Sequence, residues 1–296
     1  MHALVTGAGG FLGLYITEQL VARGDRVRAF CRGRYERLDA LGVETVQGDI
    51  RDSQQVENAC TGVDVVYHVA SISGIWGPWQ QYFDVNTRGT DHVLAGCRRH
   101  RVPLLVYTSS PSVTFDGQPQ QGVDESEPYA RRWLCHYPHS KALAEQRVLE
   151  ASGTGSLRCC ALRPHLIWGP RDRHLIPRLL ERARQGTLRR VGDGTNLIDT
   201  IYVENAALAH LQAADALAAG RPLAGKAYFI SQGEPLPCWA WIDRILDLAG
   251  LPPVERSISL RTAWWIGAAF EWFHSIRADH REPRMTRFLA AQLGMA

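Results

Sequence analysis

The chain is poor in lysine, and several common functional signatures are missing from it. Of 33 basic residues in 296, only Lys141 and Lys226 are lysines. Arginine serves wherever a generic cation suffices, so each lysine must be questioned individually. The net charge of +3, with no basic run interleaved with aromatics, argues against a nucleic-acid partner. The seven cysteines are odd in number and lack Cys-x-x-Cys spacing, and Cys159-Cys160 lie inside an apolar run. They read as reduced thiols of a cytoplasmic protein rather than a disulfide framework or zinc site. Met1 leads directly into an apolar strand, so no targeting segment is expected. No His-Glu-x-x-His spacing occurs, which argues against a bound metal. No Gly-x-Ser-x-Gly elbow occurs, which argues against a serine hydrolase. The apolar stretch from Ala263 to Phe273 is too short to span a membrane and carries Glu271. As a helix it aligns Trp264, Ala268 and Trp272, and core packing or a pocket wall is expected ahead of peripheral membrane contact. Internal repeats and low-complexity linkers are absent.

What is present begins at residue 3. Ala3-Leu4-Val5 suits a short buried strand, Gly7, Gly10 and Gly13 follow, and Leu12, Ile16 and Leu20 then recur at helical spacing. Glycines in a strand-to-helix turn allow a tight bend, close approach of a pyrophosphate, and packing of helix on strand. The uncompensated N–H groups and dipole of the helix favour an anion there. Further strands are expected at 27–31, 43–47, 63–69, 104–109 and 157–162, with helices at 53–60, 85–100 and 140–151. This alternation predicts an α/β fold, a Rossmann-type doubly wound parallel sheet with helices on both faces. Beyond Pro164 the rhythm breaks. Residues 1–165 are therefore expected to form a dinucleotide-binding domain, and 166–296 a smaller C-terminal α/β domain for substrate, with the ligand cleft between them.

The cofactor is read from the strand ends. A carboxylate about 20 residues past the glycines takes the ribose of NAD, whereas an arginine accommodates the 2′-phosphate of NADP. Here the second strand ends Phe30-Cys31-Arg32-Gly33-Arg34 with no carboxylate, so Arg32, assisted by Arg34, predicts NADP(H) over NAD(H). Asp49-Ile50 is expected beside the adenine, and small residues at Val69-Ala70-Ser71 beside the linking ribose and phosphates.

Tyr137-x-x-x-Lys141 sets a phenol and an ammonium on one face of a helix start. Moving a tyrosine pKa from about 10 to about 7 requires roughly 4 kcal/mol, which a neighbouring cation can supply in a partly desolvated cleft. Tyr107-Thr108-Ser109-Ser110 closes the fifth strand, where hydroxyls are expected to face the ligand crevice, and Ser110 is the candidate donor to a substrate carbonyl. His136 and His139 read as ordinary surface or pocket-wall residues. For His165 a substrate-facing role and a bland one remain open.

Thr6-Gly7-x-x-Gly10-x-x-Gly13, Asp49, His68-Val69-Ala70, Asn86-x-x-Gly89-Thr90, Tyr107–Ser110, Tyr137-x-x-x-Lys141 and Leu162-Arg163-Pro164 together resemble the extended short-chain dehydrogenase/reductases. Tyr107–Val113, Leu162–Pro170, Ile198–Val203 and Lys226–Ser231 look like the 3β-hydroxysteroid dehydrogenase branch. Phe30–Tyr35, Ile75–Gly77 and Leu175–Leu179 are similar to its bacterial 2-alkyl-3-oxoalkanoate reductases. The resemblance implies Tyr137 as general acid/base, Lys141 as its pKa partner, and Ser110 as carbonyl-binding hydroxyl. It implies cofactor contacts from Gly7, Gly10, Phe11, Leu12, Gly13, Thr108, Tyr137, Lys141, Pro164 and Leu166. Asn86, on this resemblance, ties the fourth and fifth strands together. The branch continues past the stretch matching Phe288–Leu293, so a shortened substrate domain is expected, together with dimerisation through helices near 85–100 and 138–152. The implied function is NADP(H)-dependent interconversion of a ketone and a secondary alcohol on a hydrophobic substrate, foremost a 2-alkyl-3-oxoalkanoate. A steroid dehydrogenase, a nucleotide-sugar epimerase or dehydratase, and a non-catalytic NADP sensor are the alternatives.

Overall fold

The computed structural model describes residues 1–277 and 281–295. The expected domain end at Ala296 lies outside the described residues. Strand and helix alternate as the apolar runs require: β1 (His2–Thr6), α1 (Phe11–Ala22), β2 (Arg26–Cys31), α2 (Glu36–Ala40), β3 (Glu44–Gln47) and α3 (Ser53–Ala59). Then come β4 (Val65–His68), α4 (Trp79–Tyr82), α5 (Gly89–His100), β5 (Leu104–Thr108), α6 (His136–Ala151) and β6 (Arg158–Pro164). The remainder is β7 (Leu166–Trp168), α7 (Leu175–Arg184), β8 (Arg190–Val191), β9 (Leu197–Ile198), β10 (Thr200–Tyr202) and α8 (Val203–Ala218). It closes with β11 (Lys226–Ile230), β12 (Leu236–Pro237), α9 (Cys238–Leu248), β13 (Ser257–Ile258), α10 (Leu260–Ile276) and α11 (Arg287–Gly294).

Seven strands form one parallel sheet in the order β11-β6-β5-β4-β1-β2-β3. The order reverses between β1 and β4, so a crevice opens outside the carboxyl ends of those two strands. The strands are buried on both faces, which is why they read as continuous apolar runs. One face packs Ile16 and Leu20 of α1 and Leu211 and Leu217 of α8, and the other packs Val93 of α5 and Val148 of α6. Both Cys159 and Cys160 are fully buried free thiols in β6.

A third cluster, built on Trp239, Ile242, Leu246 and Val191, sits in the later part of the chain and joins α9, α10, α11 and short strand pairs. The helix expected at 85–100 starts earlier, at Trp79, and runs unbroken to His100. Phe83–Arg88 form one wide, π-type turn before α5 begins at Gly89, and that turn carries Asn86 inward.

Candidate active site

The first glycine turn is shaped by contact as much as by bend. Gly7 has φ +71°, and a Cβ there would stand 2.8 Å from the Ala70 Cα. A Cβ on Gly13 would lie 2.3 Å from the Gly7 carbonyl oxygen, so α1 rests directly on the turn. No side chain caps Gly10, which leaves the first N–H groups of α1 open toward a cavity of about 930 Å³. That cavity is lined by Gly7, Gly10, Phe11, Leu12, Gly13, Arg32, Asp49, Ile50, Val69, Ala70, Ser71, Thr108, Ser110, Tyr137, Lys141, Pro164 and Leu166. The residues singled out from the sequence as catalytic or cofactor-binding, Arg34 excepted, thus meet in one space.

A buried hydrogen-bond relay ties the turn to α6. Thr6 Oγ1 accepts from the Val69 and Ala70 amides and lies 2.8 Å from His68 Nδ1, while His68 Nε2 lies 2.9 Å from Thr90 Oγ1. The Thr90 hydroxyl donates its one proton to the Asn86 carbonyl at 2.6 Å. His68 Nε2 must therefore donate to Thr90, and Nδ1 accepts from Thr6. Burial holds His68 neutral by pushing its pKa down to about 3. Asn86 Nδ2 donates to Ser140 Oγ at 2.9 Å, and Ser140 Oγ donates to the Tyr137 carbonyl at 2.8 Å. The same amide brackets the Ile72 backbone, accepting at 2.8 Å and donating at 3.0 Å. Asn86 therefore ties the segment after β4 to the start of α6, not β4 to β5 as expected, because the wide turn aims it that way.

Ser110, Tyr137 and Lys141 come together at the end of this relay. The Ser110 hydroxyl lies 2.7 Å from Ser112 Oγ and lines the same cavity as Tyr137, whose pKa it acts to lower. Lys141 Nζ donates to the Thr108 carbonyl at 2.5 Å and stands 4.2 Å from the Tyr107 ring centroid. Burial pushes Lys141 down to about 7, and the Glu145 carboxylate one turn on pulls the other way. Burial likewise raises Tyr137, against the Ser110 hydrogen bond, so the protein's own groups do not lower the phenol as expected. Desolvation is the largest influence on both groups.

Other expectations need correction. Of the four residues ending β5, only Ser110 presents a hydroxyl to the cavity. The Thr108 hydroxyl lies 2.8 Å from His210 Nε2 on α8, Tyr107 is buried beneath Lys141, and the buried Ser109 hydroxyl has no partner. Asp49 lines the cavity, but Arg51 grips its carboxylate at 2.7 and 3.0 Å. Arg34 is not part of the lining, whereas Arg32 is. His136 and His139 belong to an aromatic stack outside the cavity: the His139 ring is 4.6 Å from Trp79 and 5.2 Å from Trp133, and His136 is 5.7 Å from Trp79. The α10 helix neither walls the cavity nor buries its aromatics, since Trp265 and Trp272 are 61% and 67% exposed. Its small residues Ala263 and Gly267 face inward instead, and a Cβ on Gly267 would meet the Thr286 backbone at 2.6 Å.

Other residues line or support the site without having been singled out for a role from the sequence. Tyr35 lays its ring where a Gly9 Cβ would be, 2.2 Å away, and lines the same cavity. Glu145 and Arg163 form a buried pair with contacts of 2.6–3.2 Å, and the Tyr129 hydroxyl donates to Glu145 at 2.7 Å. Glu145 follows Lys141 by four residues, and that spacing was its only available clue. On the substrate side the wall is apolar, with Phe115, Leu175, Leu179, Ile198, Trp241 and Phe288.

The sheet order and the site define an oxidoreductase of the extended short-chain dehydrogenase/reductase type. The chain belongs to the 3-beta hydroxysteroid dehydrogenase/isomerase family, whose model matches residues 4–260. It is 50% identical to a 2-alkyl-3-oxoalkanoate reductase of Stenotrophomonas maltophilia, over 99% of this chain and 89% of that one. It is 48% identical to the Shewanella oneidensis protein of that name, over 99% and 77%. A sterol-4-alpha-carboxylate 3-dehydrogenase (decarboxylating) of Mus musculus is 37% identical, over 82% and 67%. Among solved structures, a dTDP-glucose 4,6-dehydratase of Streptomyces venezuelae with NAD bound superposes with a TM-score of 0.74 at 26% identity, covering 88% of this chain and 84% of that one. Among the described residues no helix is long and apolar enough to cross a membrane.

Proposed function

We propose that the protein is an NADPH-dependent reductase that converts a 2-alkyl-3-oxoalkanoate into the 3-hydroxy acid. The observation that carries this reading is the single cavity shared by the glycine turn, the Ser110–Tyr137–Lys141 group and an apolar wall. The residues fit a dinucleotide. The uncapped start of α1 and the bare glycine surface suit a pyrophosphate, with Gly7, Gly10, Phe11, Leu12 and Gly13 as its holders. Arg32 would take a 2′-phosphate, Ile50 would flank the adenine, and Val69, Ala70, Ser71, Pro164 and Leu166 would enclose the nicotinamide riboside. The solved relative carries NAD. The preference for NADP here rests on Arg32, with no carboxylate at the tip of β2.

The chemistry supplied by the nicotinamide, when bound, is hydride transfer at its C4. Tyr137 gives its phenolic proton to the substrate oxygen, and Ser110 steadies that oxygen by a hydrogen bond as charge develops on it. The Lys141 ammonium, desolvated and close by, eases loss of that proton and later regain of one from solvent. The names of both kinds of relative describe a carboxylate on the carbon next to the reacting one, and the apolar side chains of the wall suit the hydrocarbon of either substrate. Residues 1–165 would hold the cofactor, and 166–296 most of the substrate's chain.

The test is NADPH oxidation against 2-alkyl-3-oxo acids, 3-ketosteroids and nucleotide sugars. Turnover of the oxo acids, lowered about a thousandfold in kcat by Tyr137→Phe with NADPH binding retained, is the expected result. Turnover of ketosteroids alone would replace the substrate assignment. NADPH binding without any turnover would favour a sensor. Arg32→Asp should reverse the NADPH preference, and an unchanged preference would sink the NADP assignment.

A further inference from the structure

We propose that His165 receives the substrate's carboxylate and so sets the enzyme's preference for an acid over its ester. The inference deepens the reading above and rests on it. A carboxylate entering an apolar cavity needs a charged or hydrogen-bonding partner, because leaving it unpaired there is strongly unfavourable. Among the described residues, the cavity wall offers four basic side chains: Arg32, Lys141, His165 and His174. Arg32 belongs to the tip of β2 beside the glycine turn, at the far end from the hydroxyl group of Ser110. Lys141 is committed to the Thr108 carbonyl. His174 stands exposed at the start of α7, and the Asp172 carboxylate accepts from its amide and from those of Leu175 and Ile176. Arg163, two residues before His165, is turned away into its pair with Glu145. His165 is what remains.

Its location is the right one. β5 and β6 are parallel neighbours with Thr108 opposite Leu162, and the Ser109 amide donates to the Leu162 carbonyl at 2.6 Å. Ser110 and His165 therefore leave adjacent strands at the same edge of the sheet, two and three residues beyond that register pair. For a 3-oxo acid the carboxylate is two bonds from the carbonyl carbon, so its receptor must neighbour the hydroxyl that binds the carbonyl. The His165 amide donates to the Ile230 carbonyl at 2.9 Å, which anchors the backbone, and its ring packs 5.7 Å from Phe229. Asp199, between β9 and β10, lines the same cavity and favours the protonated imidazole, while burial, the larger influence, opposes it. A substrate carboxylate adds a second anion and tips that balance toward the imidazolium.

The experiment runs the reaction in its stable direction, oxidation of a 2-alkyl-3-hydroxy acid with NADP⁺, beside the methyl ester of the same acid. Wild type is expected to prefer the acid. His165→Phe should raise KM for the acid about tenfold or more, the size of one charge-assisted hydrogen bond, and leave the ester within about twofold. His165→Arg should recover much of the acid preference. Thermal melts of both variants, with NADP⁺ binding by fluorescence, confirm that each is folded and loads cofactor. Equal losses on acid and ester, or an unchanged KM for the acid, would overturn the assignment of His165 alone. A wild type that oxidises neither compound would overturn the substrate reading itself, and this assignment with it.

Discussion

Helices α6 and α10 each bury a carboxylate, but they differ in what else they bury and in what they leave to solvent. α6 buries an ammonium and a carboxylate, Lys141 and Glu145, at 2% and 0% exposure. α10 leaves Trp265, Trp272 and Ile276 in solvent and turns Ala263, Gly267 and a single carboxylate, Glu271, inward. Departures from apolar-in, polar-out are the informative ones, but these two carry different information. Each buried charge on α6 is answered by a named partner: the Thr108 carbonyl for Lys141, Arg163 and Tyr129 for Glu145. Such a network stabilises in proportion to how fully it is satisfied; here one Arg163 nitrogen, Nη1, is buried without a partner, and of the three charges only Lys141 lines the cavity. On α10 the exposed aromatics lie opposite a face whose small residues let α11 come close, and whose Glu271 accepts from the Arg287 amide at 2.7 Å and guanidinium at 2.6 Å.

The largest way to break this contrast is Glu145→Ala. It leaves the Arg163 guanidinium buried without its counter-ion and is expected to lower stability by about 3–5 kcal/mol in urea unfolding. Arg163→Met added to it should recover part of that loss, whereas simple additivity would mean the two do not form a unit. A smaller effect, dependent on pH, is expected at Lys141. Its folded pKa lies near 7, below the ordinary lysine value, so the unfolded chain binds the extra proton between the two. Stability from this group therefore rises as pH climbs from about 7 toward 10.4 and is lost as pH falls through the folded value. Lys141→Met should raise the melting temperature at pH 6.5 and lose that advantage by pH 10; an equal gain at both would mean that Lys141 is not desolvated. The smallest effect is expected from Trp272→Ser. Loss of an exposed ring should change stability by no more than about 0.5 kcal/mol, and a greater loss would mean that α10 is packed against something in solution.

Much of the first half was legible because its signals are local. A parallel strand covered on both faces is an unbroken apolar run, and a glycine triplet between such a run and a helical period has few other uses. The resemblance to the extended reductases, carried by Tyr137-x-x-x-Lys141 and its companions, agrees with the family match. Less was legible where the outcome depends on direction. The hydroxyls ending β5 look alike in sequence, yet Thr108 turns to His210 and only Ser110 reaches the cavity. The wide turn inside the helix expected at 85–100 was not legible either, since no composition cue marks where Asn86 is carried to Ser140.

By itself the sequence determined the sheet, the glycine turn and the pairing of a phenol with a rare lysine, because strand and helix periods and turn chemistry are properties of neighbouring residues. Tertiary structure alone decided which histidines line the cavity, that Glu145 meets Arg163, and that burial dominates the titration of Tyr137 and Lys141. Those outcomes depend on what lies across from each side chain, and the chain supplies that neighbour only from far along its length.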